Sequence, residues 1–440
     1  MIFLVHAAEN DHSIAGNLGT ADYSYFFVMK KFLPVLRTLG RVIVVERLAR
    51  VDDYYFVLRK LGFDVVLLAF TPPQKTPLGL RCPTFPVFAW EYSTIPDESW
   101  SDEPRHNWAW VLKSLPGAIT HSRFTVDAVH RALGAGYPVV SLPSPLWNDF
   151  SPLYLPAATA SRPLWRLELA RGVVLDSHAL GMAADQTPAE PAFEEGPCGV
   201  TLGGIVYTAV FNPNDGRKNW HDLLSGFCFT FRENPDATLL LKLAYHDAKH
   251  ACGMVWKEMK KLAPYRCRVV LVQGFLDARA YRHMVGNSTY VVNAAHGEGQ
   301  CLPLMEFMSA GKPAIAPGHT AMADYITTEN AFVVRSSEEW THWPHDPRLV
   351  LRTFRYRIDW QSLCQAYRES FDLARNEPEK YRMLSGNAHD TLREHCSREK
   401  IAVRLAGFMR DNGYPLLRWQ PLRRMLSSCR LLARRLTGAG

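Results

Sequence analysis

Residues 296–313 read H-G-E-G-Q-C-L-P-L-M-E-F-M-S-A-G-K-P and lie between a predicted strand over 290–294 and a predicted helix over 302–310. Gly297 and Gly299 let the backbone come close to a ligand, because neither residue has a Cβ. Pro303 suits the first turn of a helix, where the free backbone N–H groups form an anion site. The stretch therefore predicts an α/β fold with a ligand-binding loop at the end of a strand.

Two glutamates belong to this stretch. Glu298 lies in the loop and Glu306 lies about one turn inside the predicted helix, with seven residues between them. Two carboxylates would repel a phosphate on its own. They suit a ligand that also carries hydroxyls, because a carboxylate accepts hydrogen bonds from a diol strongly. The pattern favours a ligand with a sugar at each end of a diphosphate.

A second loop of this kind follows an earlier predicted strand. Residues 211–220 read F-N-P-N-D-G-R-K-N-W, with turn residues at 214–216 and Asn219 as the predicted N-cap of the next helix. Arg217 and Lys218 are therefore expected to project from a strand end into a cleft. A guanidinium beside an ammonium suits a diphosphate, whose negative charge grows as a glycosidic bond breaks.

Around these loops, short β-branched runs alternate with helical stretches in two successive series. Such alternation is typical of βαβ units and parallel sheets, and two series predict two Rossmann-like domains that face a cleft. The predicted strands are 2–5, 41–46, 64–70, 86–90, 118–121 and 139–142 in the first series, and 205–211, 238–243, 268–272, 290–294, 314–316 and 332–334 in the second.

The pattern divides the chain into five parts. Residues 1–150 form the predicted N-terminal Rossmann-like domain and residues 204–360 the C-terminal one. Between them, residues 151–203 are rich in Pro, Ala and Gly and are predicted to be an insertion and interdomain linker. Residues 361–412 are predicted to be closing helices, and residues 413–440 a basic amphipathic tail.

Composition places the chain among ordinary globular proteins. It has 440 residues, of which 47% are hydrophobic and 21% charged, and its apolar runs are strand-sized rather than long enough to span a membrane. The N-terminus lacks the pattern of a signal peptide. The nine cysteines are scattered and never spaced C-x-x-C, which argues against a disulfide framework and a zinc site. We expect a cytoplasmic protein.

The tail is strongly basic. From Gly413 onward it contains six arginines and no acidic residue, and leucines, Trp419 and Met425 are interleaved with the arginines at roughly helical spacing. Two interpretations remain open: a cationic amphipathic helix on the inner face of an anionic membrane, or a solvated tail. A nucleic-acid partner is not expected, because no recognised nucleic-acid motif accompanies the tail.

The two loops resemble the donor-binding signatures of retaining GT-B glycosyltransferases, specifically glycosyltransferase family 4. In the N-terminal half, I-T-H-S-R-F at 119–124 resembles the late strand of that family. The resemblance to the C-terminal domain extends over A-G-K-P-A-I-A-P-G-H-T at 310–320 to Asp324. Its most specific residues are Arg217, Lys218, Glu298, Leu302, Pro303 and Glu306.

The resemblance implies a hexosyltransferase that uses a UDP- or GDP-linked sugar and a glycan or lipid-linked acceptor, as in polysaccharide or glycoconjugate synthesis. It implies no metal and no other cofactor. Arg217 and Lys218 would neutralise the leaving diphosphate, Glu298 would bind donor-sugar hydroxyls, and Glu306 would hold the ribose. The other donor-binding candidates are His296, Gly297, Gly299, Gln300, Cys301 and Leu302, with Gly274 and Phe275 where the base usually rests.

Two segments depart from the family pattern. The family often has a Gly-Gly doublet after its first strand, whereas this chain has a longer loop with single glycines, of which we take Gly19 as the candidate. Many members also place a His against the donor sugar at the strand end that here reads F-A-W-E-Y-S-T-I-P. Glu91 takes that position as a catalytic candidate, and three roles are open for it: it orients the acceptor, acts as a base or is structural.

Other activities of the same fold are weighed against transfer. A nucleotide-sugar epimerase fits the glutamate spacing and the Arg-Lys pair less well, and no recognisable pyridoxal-phosphate lysine motif supports a phosphorylase. A non-catalytic sugar-binding or assembly protein is the alternative from a different class. Such a scaffold has no need of both glutamates and both basic residues, which favours the enzyme.

Overall fold

The structure is a computed structural model, and it describes residues 1–9, 21–99, 102–156, 159–183, 190–343, 346–350 and 352–414. Two α/β units follow each other along the chain, each with its own largely parallel sheet. Helices at the end of the chain pack against the cores of both units. The predicted fold class, two Rossmann-like sheets closed by C-terminal helices, is confirmed.

Six parallel strands form the first sheet. They are β1 (Ile2–Ala7), β2 (Arg41–Val44), β3 (Val65–Phe70), β4 (Thr84–Phe88), β5 (Ala118–Thr120) and β6 (Val139–Ser141). They lie in the order β2-β1-β3-β4-β5-β6. Every residue of β3 is buried, as expected where helices cover both faces of a parallel sheet. The helices of this unit are α1 (Ala21–Leu39), α2 (Val51–Lys60), α3 (Trp108–Lys113), α4 (Arg123–Leu133) and α5 (Trp147–Phe150).

The second sheet has six parallel strands and one antiparallel strand. They are β7 (Arg162–Asp176), β8 (Gly196–Phe211), β9 (Ala237–Leu243), β10 (Arg268–Gly274), β11 (Tyr290–Val292), β12 (Ala314–Pro317) and β13 (Ala331–Val334). The parallel strands lie in the order β13-β12-β11-β8-β9-β10. The helices between them are α6 (Trp220–Thr230), α7 (Ala248–Leu262), α8 (Ala278–Asn287) and α9 (Leu302–Ser309).

Residues 151–203 differ from the predicted insertion and linker, because they contain β7 and the first half of β8. β7 pairs antiparallel with β10 and with the first half of β8. Trp165, Leu167 and Leu169 are buried, whereas the residues between them are exposed. This alternation is that of a strand with one buried face, and the prolines and glycines nearby hide it in the sequence. The strands of the second sheet therefore begin at Arg162, before the predicted boundary at 204.

A polar hairpin follows the second sheet where no strand was predicted. It consists of β14 (Ser336–His342) and β15 (Arg352–Ile358), which pair with each other over their full length. The hairpin reaches the first unit. Phe354 N–H donates to Ser93 Oγ at 3.3 Å, and Thr94 Oγ1 donates to the Arg352 carbonyl at 3.2 Å.

Three helices end the described chain, as predicted for residues 361–412: α10 (Trp360–Asn376), α11 (Pro378–Cys396) and α12 (Arg398–Asp411). The last of them returns to the first unit. Leu405 and Met409 are buried in the core of that unit, and the ring of Phe408 meets that of Phe85 edge to face at 5.8 Å.

The cysteines and the tail are described only in part. Eight of the nine cysteines are described as free thiols, and seven of these are buried. Cys429 lies outside the described residues. So does the basic tail beyond Tyr414. None of the described helices is both long enough and apolar enough to cross a bilayer.

Candidate active site

The strand order of the second sheet reverses at β8. The next strand along the chain, β9, pairs with one edge of β8, and β11 pairs with its other edge. Ligands of open α/β sheets bind outside the carboxyl ends of strands at such a reversal. The loop after β8 carries Arg217 and Lys218, and the loop after β11 carries Glu298. The fold thus brings together the three residues on which the predicted site depends.

The loop after β8 turns tightly. Asp215 Oδ1 accepts a hydrogen bond from the backbone N–H of Arg217 at 3.1 Å and begins a 3₁₀ turn over Gly216–Lys218. Asn219 then adopts a left-handed conformation with φ of 46°. It occupies the predicted N-cap position of α6, but its side chain makes no capping bond. Instead its Nδ2 donates to the Ala294 carbonyl at 3.1 Å and links the two loops.

The loop after β11 lies directly against the first unit. A Cβ on Gly299 would lie 2.9 Å from the Cβ of Ala89 and 3.0 Å from the backbone nitrogen of Trp90. A Cβ on Gly297 would lie 3.1 Å from the carbonyl oxygen of Glu91. The sequence predicted that these glycines let a ligand come close. In the structure they let the chain after β4 come close, which seats the two units together.

Lys218 and Glu298 form a nearly symmetric ion pair. Lys218 Nζ donates to the two carboxylate oxygens of Glu298 at 2.8 and 2.9 Å, and Asn293 Nδ2 donates to the same carboxylate at 3.0 Å. Burial alone would raise the pKa of Glu298. The charges of Lys218 and Arg217 outweigh this effect and hold the pKa below its ordinary value. The carboxylate is therefore ionised near neutral pH.

Arg217 contacts two carboxylates at once. Its Nη1 lies 2.8 Å from Glu91 Oε1, and its Nη2 lies 2.7 Å from Asp215 Oδ2. Because Glu91 follows β4, the Glu91–Arg217 pair joins the two units across the cleft. Burial raises the pKa of Glu91, and the charge of Arg217 offsets this only in part. The predicted catalytic residues therefore meet in one cluster, in which three carboxylates surround two cations.

Glu306 occupies a separate position one turn inside α9. Tyr281 Oη donates to its Oε2 at 2.5 Å. Burial raises the pKa of Glu306 to about 7, although the bond from Tyr281 and the charge of Lys31 favour the ionised form. The carboxyl group therefore changes its charge close to physiological pH.

His296 is held by the hairpin. Its Nδ1 lies 2.8 Å from the Tyr356 carbonyl, and its own carbonyl accepts from Tyr356 N–H at 2.9 Å. A carbonyl only accepts, so Nδ1 carries the hydrogen and Nε2 is left as an acceptor. Burial lowers the pKa of His296, so the ring is neutral near pH 7. The ring of His319 stacks on Tyr356 at 4.3 Å.

The remaining loop residues have mainly structural contacts. The Gln300 side chain accepts a hydrogen bond from Ser144 N–H of the first unit. Cys301 is the N-terminal flanking residue of α9, with a left-handed φ of 62°. Burial raises the pKa of its thiol well above the usual range, so the thiol is not ionised. Leu302 packs against the cores of both units.

Two further donor-binding candidates follow a different strand, and a third is not among the described residues. Gly274 ends β10, and Phe275 follows it with an exposed ring. Since β9 separates β10 from β8, these two residues lie about 10 Å from the β8 loop in the plane of the sheet. Gly19 lies outside the described residues.

Sequence reasoning missed several residues that shape the site. Asp215 was recognised only as a turn residue, and Asn293 follows β11 without a motif of its own. Thr320, in a strained left-handed conformation with φ of 50°, accepts a hydrogen bond from Glu298 N–H at 3.0 Å. Tyr281 lies far from Glu306 in the sequence. Only the turn chemistry of Asp215 offered a local signal.

Within the described ranges, no group of three or more His, Cys, Asp or Glu residues has an arrangement that could hold a metal ion. The positive charge at the cleft comes from Arg217 and Lys218.

Similarity to known proteins is found in the fold and not in the sequence. No protein-family model and no curated protein matches the chain. Among solved structures, sucrose-phosphate synthase from Thermosynechococcus elongatus superposes with a TM-score of 0.55 at 14% identity, over 93% of this chain and 98% of that one. Anabaena HepE in complex with UDP superposes with a TM-score of 0.52 at 13% identity, over 93% of this chain and 99% of that one. The fold is accordingly that of the GT-B glycosyltransferases.

A third similar structure belongs to a protein whose name gives a different activity. The N-terminal domain of Candida albicans trehalose-6-phosphate phosphatase superposes with a TM-score of 0.51 at 8% identity, over 93% of this chain and 99% of that one. At such identities the likeness identifies a fold only. An activity depends on the side chains of the cleft, because one fold carries many activities.

Proposed function

We propose that the protein is a glycosyltransferase that moves a hexose from a UDP- or GDP-linked sugar to a glycan or lipid-linked acceptor, with retention of configuration. The observation that carries this proposal is the meeting of Arg217, Lys218 and Glu298 at the reversal of the second sheet. Two cations can hold a diphosphate there. The ionised carboxylate beside them can accept hydrogen bonds from sugar hydroxyls.

Donor binding would replace contacts within the cluster. Arg217 exchanges Glu91, and Lys218 exchanges Glu298, for oxygens of the diphosphate. Glu298 is then free to accept hydrogen bonds from the donor sugar. The free N–H groups at the start of α9, next to Leu302, add a partial positive charge. Glu306 accepts hydrogen bonds from the ribose hydroxyls.

In the proposed reaction, the bond between the anomeric carbon and the phosphate oxygen breaks, and its electron pair stays on the diphosphate. The acceptor oxygen forms the new bond on the same face of the sugar. Its proton passes to the departing phosphate oxygen. Arg217 and Lys218 stabilise the charge that grows on the diphosphate, so the proposed step requires no metal or other cofactor.

Glu91 is assigned a positioning role in this scheme. Its carboxylate lies 2.8 Å from Arg217 and holds the guanidinium in the cleft before the diphosphate arrives. The raised pKa of Glu91 means that loss of the Arg217 contact favours its neutral form. The residue can therefore release Arg217 without leaving an unpaired buried charge.

The proposal is tested by a thermal-shift screen of the whole protein against UDP, GDP, ADP and their common sugars. A ligand that binds only the folded state raises the unfolding midpoint. We expect a shift with UDP or GDP compounds. It should be lost in Glu306→Ala and in the double variant Arg217→Ala/Lys218→Ala, each compared with its own ligand-free midpoint. Phe229→Ala, an exposed position on α6, is a matched control.

Product analysis then separates transfer from the alternatives. NMR of the product made from an α-linked donor should show an α-linkage if configuration is retained. An inverted linkage, or an epimerised donor without transfer, would contradict the proposed reaction. A folded protein that binds no nucleotide would favour a non-catalytic role.

We further propose that residues 413–440 place the enzyme on an anionic membrane surface on the cytoplasmic side. The support is the run of six arginines without an acid among apolar residues. Deleting residues 415–440 keeps the ring of Tyr414 against Phe85 at 5.6 Å. The truncated protein should lose binding to vesicles with anionic lipid. Unchanged sedimentation with such vesicles would refute membrane docking.

A further inference from the structure

A 3₁₀ turn over Thr320–Asp324 follows β12 and lies against the loop after β11. Thr320 Oγ1 accepts a hydrogen bond from Glu298 N–H at 3.0 Å, and Ala321 N–H donates to the Glu298 carbonyl at 3.1 Å. The turn thus satisfies both backbone polar groups of Glu298. Because the backbone is held on both sides of its Cα, the turn fixes the direction in which the Glu298 side chain leaves the loop.

The same loop has a second contact with this part of the chain. Tyr325, the residue after the turn, is buried, and its Oη donates to the Gln300 carbonyl at 3.0 Å. Ala321 and Met322 are buried between the two points of contact. A close-packed turn transmits a displacement of one end to the other instead of absorbing it. The position of the loop therefore depends on what holds the far end of the turn.

The far end of the turn contacts the first unit. Asp324 Oδ2 accepts a hydrogen bond from the backbone N–H of Arg123 at 2.9 Å. Arg123 is the first residue of α4, and the first N–H groups of a helix have no partner within it. Ser122 caps a different group, the N–H of Thr125, at 3.2 Å. Asp324 therefore supplies a carboxylate of the second unit to the positive end of a helix of the first unit.

The start of α4 also supports the other half of the cluster. Thr125 Oγ1 donates to the Trp90 carbonyl at 2.8 Å. Glu91, the next residue, contacts Arg217 at 2.8 Å. The start of α4 is thus linked to Arg217 through the first unit and to Glu298 through the turn.

We propose that Asp324 is a positioning residue, which holds the turn against α4 and so keeps Glu298 in the orientation that accepts hydrogen bonds from the donor sugar. This inference rests on the function proposed above. Asp324 acts through the backbone of Glu298 and does not contact the ligand. Loss of its contact should therefore weaken the hold on the sugar more than the hold on the diphosphate, which Arg217 and Lys218 bind.

The first test compares each nucleotide with its sugar. UDP and UDP-glucose, and GDP and GDP-mannose, are titrated into the full chain by calorimetry. Asp324→Ala should weaken the nucleotide sugar roughly three- to tenfold more than the nucleotide, as loss of one hydrogen bond would. Asp324→Asn keeps an acceptor and should restore the wild-type ratio of the two Kd values. Glu329→Ala, at an exposed carboxylate five residues further on, is the matched control. An equal loss for both ligands would overturn the positioning role.

Hydrogen exchange measured by mass spectrometry gives a second readout, which needs no ligand. In Asp324→Ala, exchange should become faster in two separate segments, 121–126 and 296–301, relative to the wild type and to Glu329→Ala. Faster exchange in 121–126 alone would show that the contact does not reach Glu298, and it would overturn the proposal. Unchanged exchange in both segments would overturn it as well. If the wild type binds none of the four ligands, the proposed function fails, and exchange still decides the role of Asp324.

The contact can also be removed from its other side, which covers the case in which Asp324→Ala does not fold. Arg123→Pro deletes the N–H donor at the first position of a helix, where proline is tolerated. Ser122 before it is extended, with φ of −147° and ψ of 155°, as a residue before proline should be. Arg123→Ala keeps the N–H and is the control. Arg123→Pro should speed exchange in 296–301 and Arg123→Ala should not, and equal exchange in the two variants would contradict the proposal.

Discussion

Lys218 Nζ contacts both oxygens of the Glu298 carboxylate, at 2.8 and 2.9 Å, although the two residues are 80 positions apart in the sequence. The contact joins the loops of two adjacent parallel strands. Glu298 is only 5% exposed, so its charge depends on this partner. The pair holds the two loops together, and in the proposed function it opens when a diphosphate binds.

Removing one member of this pair should therefore destabilise the fold. In Lys218→Met the buried carboxylate of Glu298 loses its main countercharge, and we expect a loss of about 3–5 kcal/mol in the free energy of unfolding. The double variant Lys218→Met/Glu298→Gln should recover much of this loss. Urea unfolding of the two variants checks the effect. Equal losses in the single and double variants would contradict the proposed pairing.

Neutralising Glu91 should tighten nucleotide binding. In Glu91→Gln the guanidinium of Arg217 no longer has to leave a carboxylate before it meets a diphosphate. We expect the Kd for UDP or GDP to fall about three- to tenfold, equivalent to ~0.7–1.4 kcal/mol. Calorimetry measures the change, and Glu339→Gln on the hairpin is a control at a carboxylate that pairs with Arg355 at 2.7 Å. Weaker binding in Glu91→Gln would contradict this expectation and show that holding Arg217 in place outweighs the contact it has to leave.

The carboxyl group of Glu306 should make both stability and binding depend on pH. Its pKa is raised to about 7 in the folded protein, above the value of about 4.3 of an exposed glutamate. The folded state thus binds the proton more tightly. The stabilising contribution is complete below about pH 4.3 and is lost as the pH rises to about 7. Glu306→Gln should remove this part of the pH dependence from the unfolding midpoint.

The affinity for nucleotide should change with pH in the opposite direction to stability. The reason is that the ionised carboxylate of Glu306, in the proposed function, accepts hydrogen bonds from the ribose. Affinity should rise between about pH 6 and 8 in the wild type and remain flat in Glu306→Gln. Tyr281→Phe removes a hydrogen bond that favours the ionised form and should move the rise to higher pH. A rise that is identical in all three proteins would exclude Glu306 as its source.

Substitutions of the strained Thr320 should affect stability and nucleotide affinity differently. A β-branched residue with φ of 50° is strained by about 1–3 kcal/mol, and a glycine at this position relieves the strain. Thr320→Gly also loses the acceptor of Glu298 N–H. We expect it to be about 1 kcal/mol more stable than Thr320→Ala, while both lose nucleotide affinity. Equal stability of the two variants by urea unfolding would argue against strain.

Much of the site could be predicted because its chemistry is local to strand ends. The turn at Asp215 and the glycines around Glu298 fix where each loop lies, and parallel strands bring their carboxyl ends together. The partners across the cleft could not be predicted. The contact of Glu91 with Arg217 depends on how two separate sheets face each other, which no local pattern contains.

The strands β7, β14 and β15 were not predicted from the sequence, for a different reason. The strands of the hairpin, S-S-E-E-W-T-H and R-T-F-R-Y-R-I, bury few side chains, so their apolar periodicity is weak. β7 does alternate, but Pro163 and the glycines of β8 suggested a loop. In both cases pairing with a distant or exposed partner, and not local propensity, stabilises the strand.

The return of α12 to the first unit has a consequence for synthesis of the protein. Leu405 and Met409 complete a core whose other parts are made some 270 residues earlier, so the nascent first unit must wait roughly 10–60 s for them at ordinary rates of translation. During that interval an apolar surface stays uncovered on the ribosome, and a fragment that ends at residue 150 should aggregate unless a peptide of residues 398–414 is supplied.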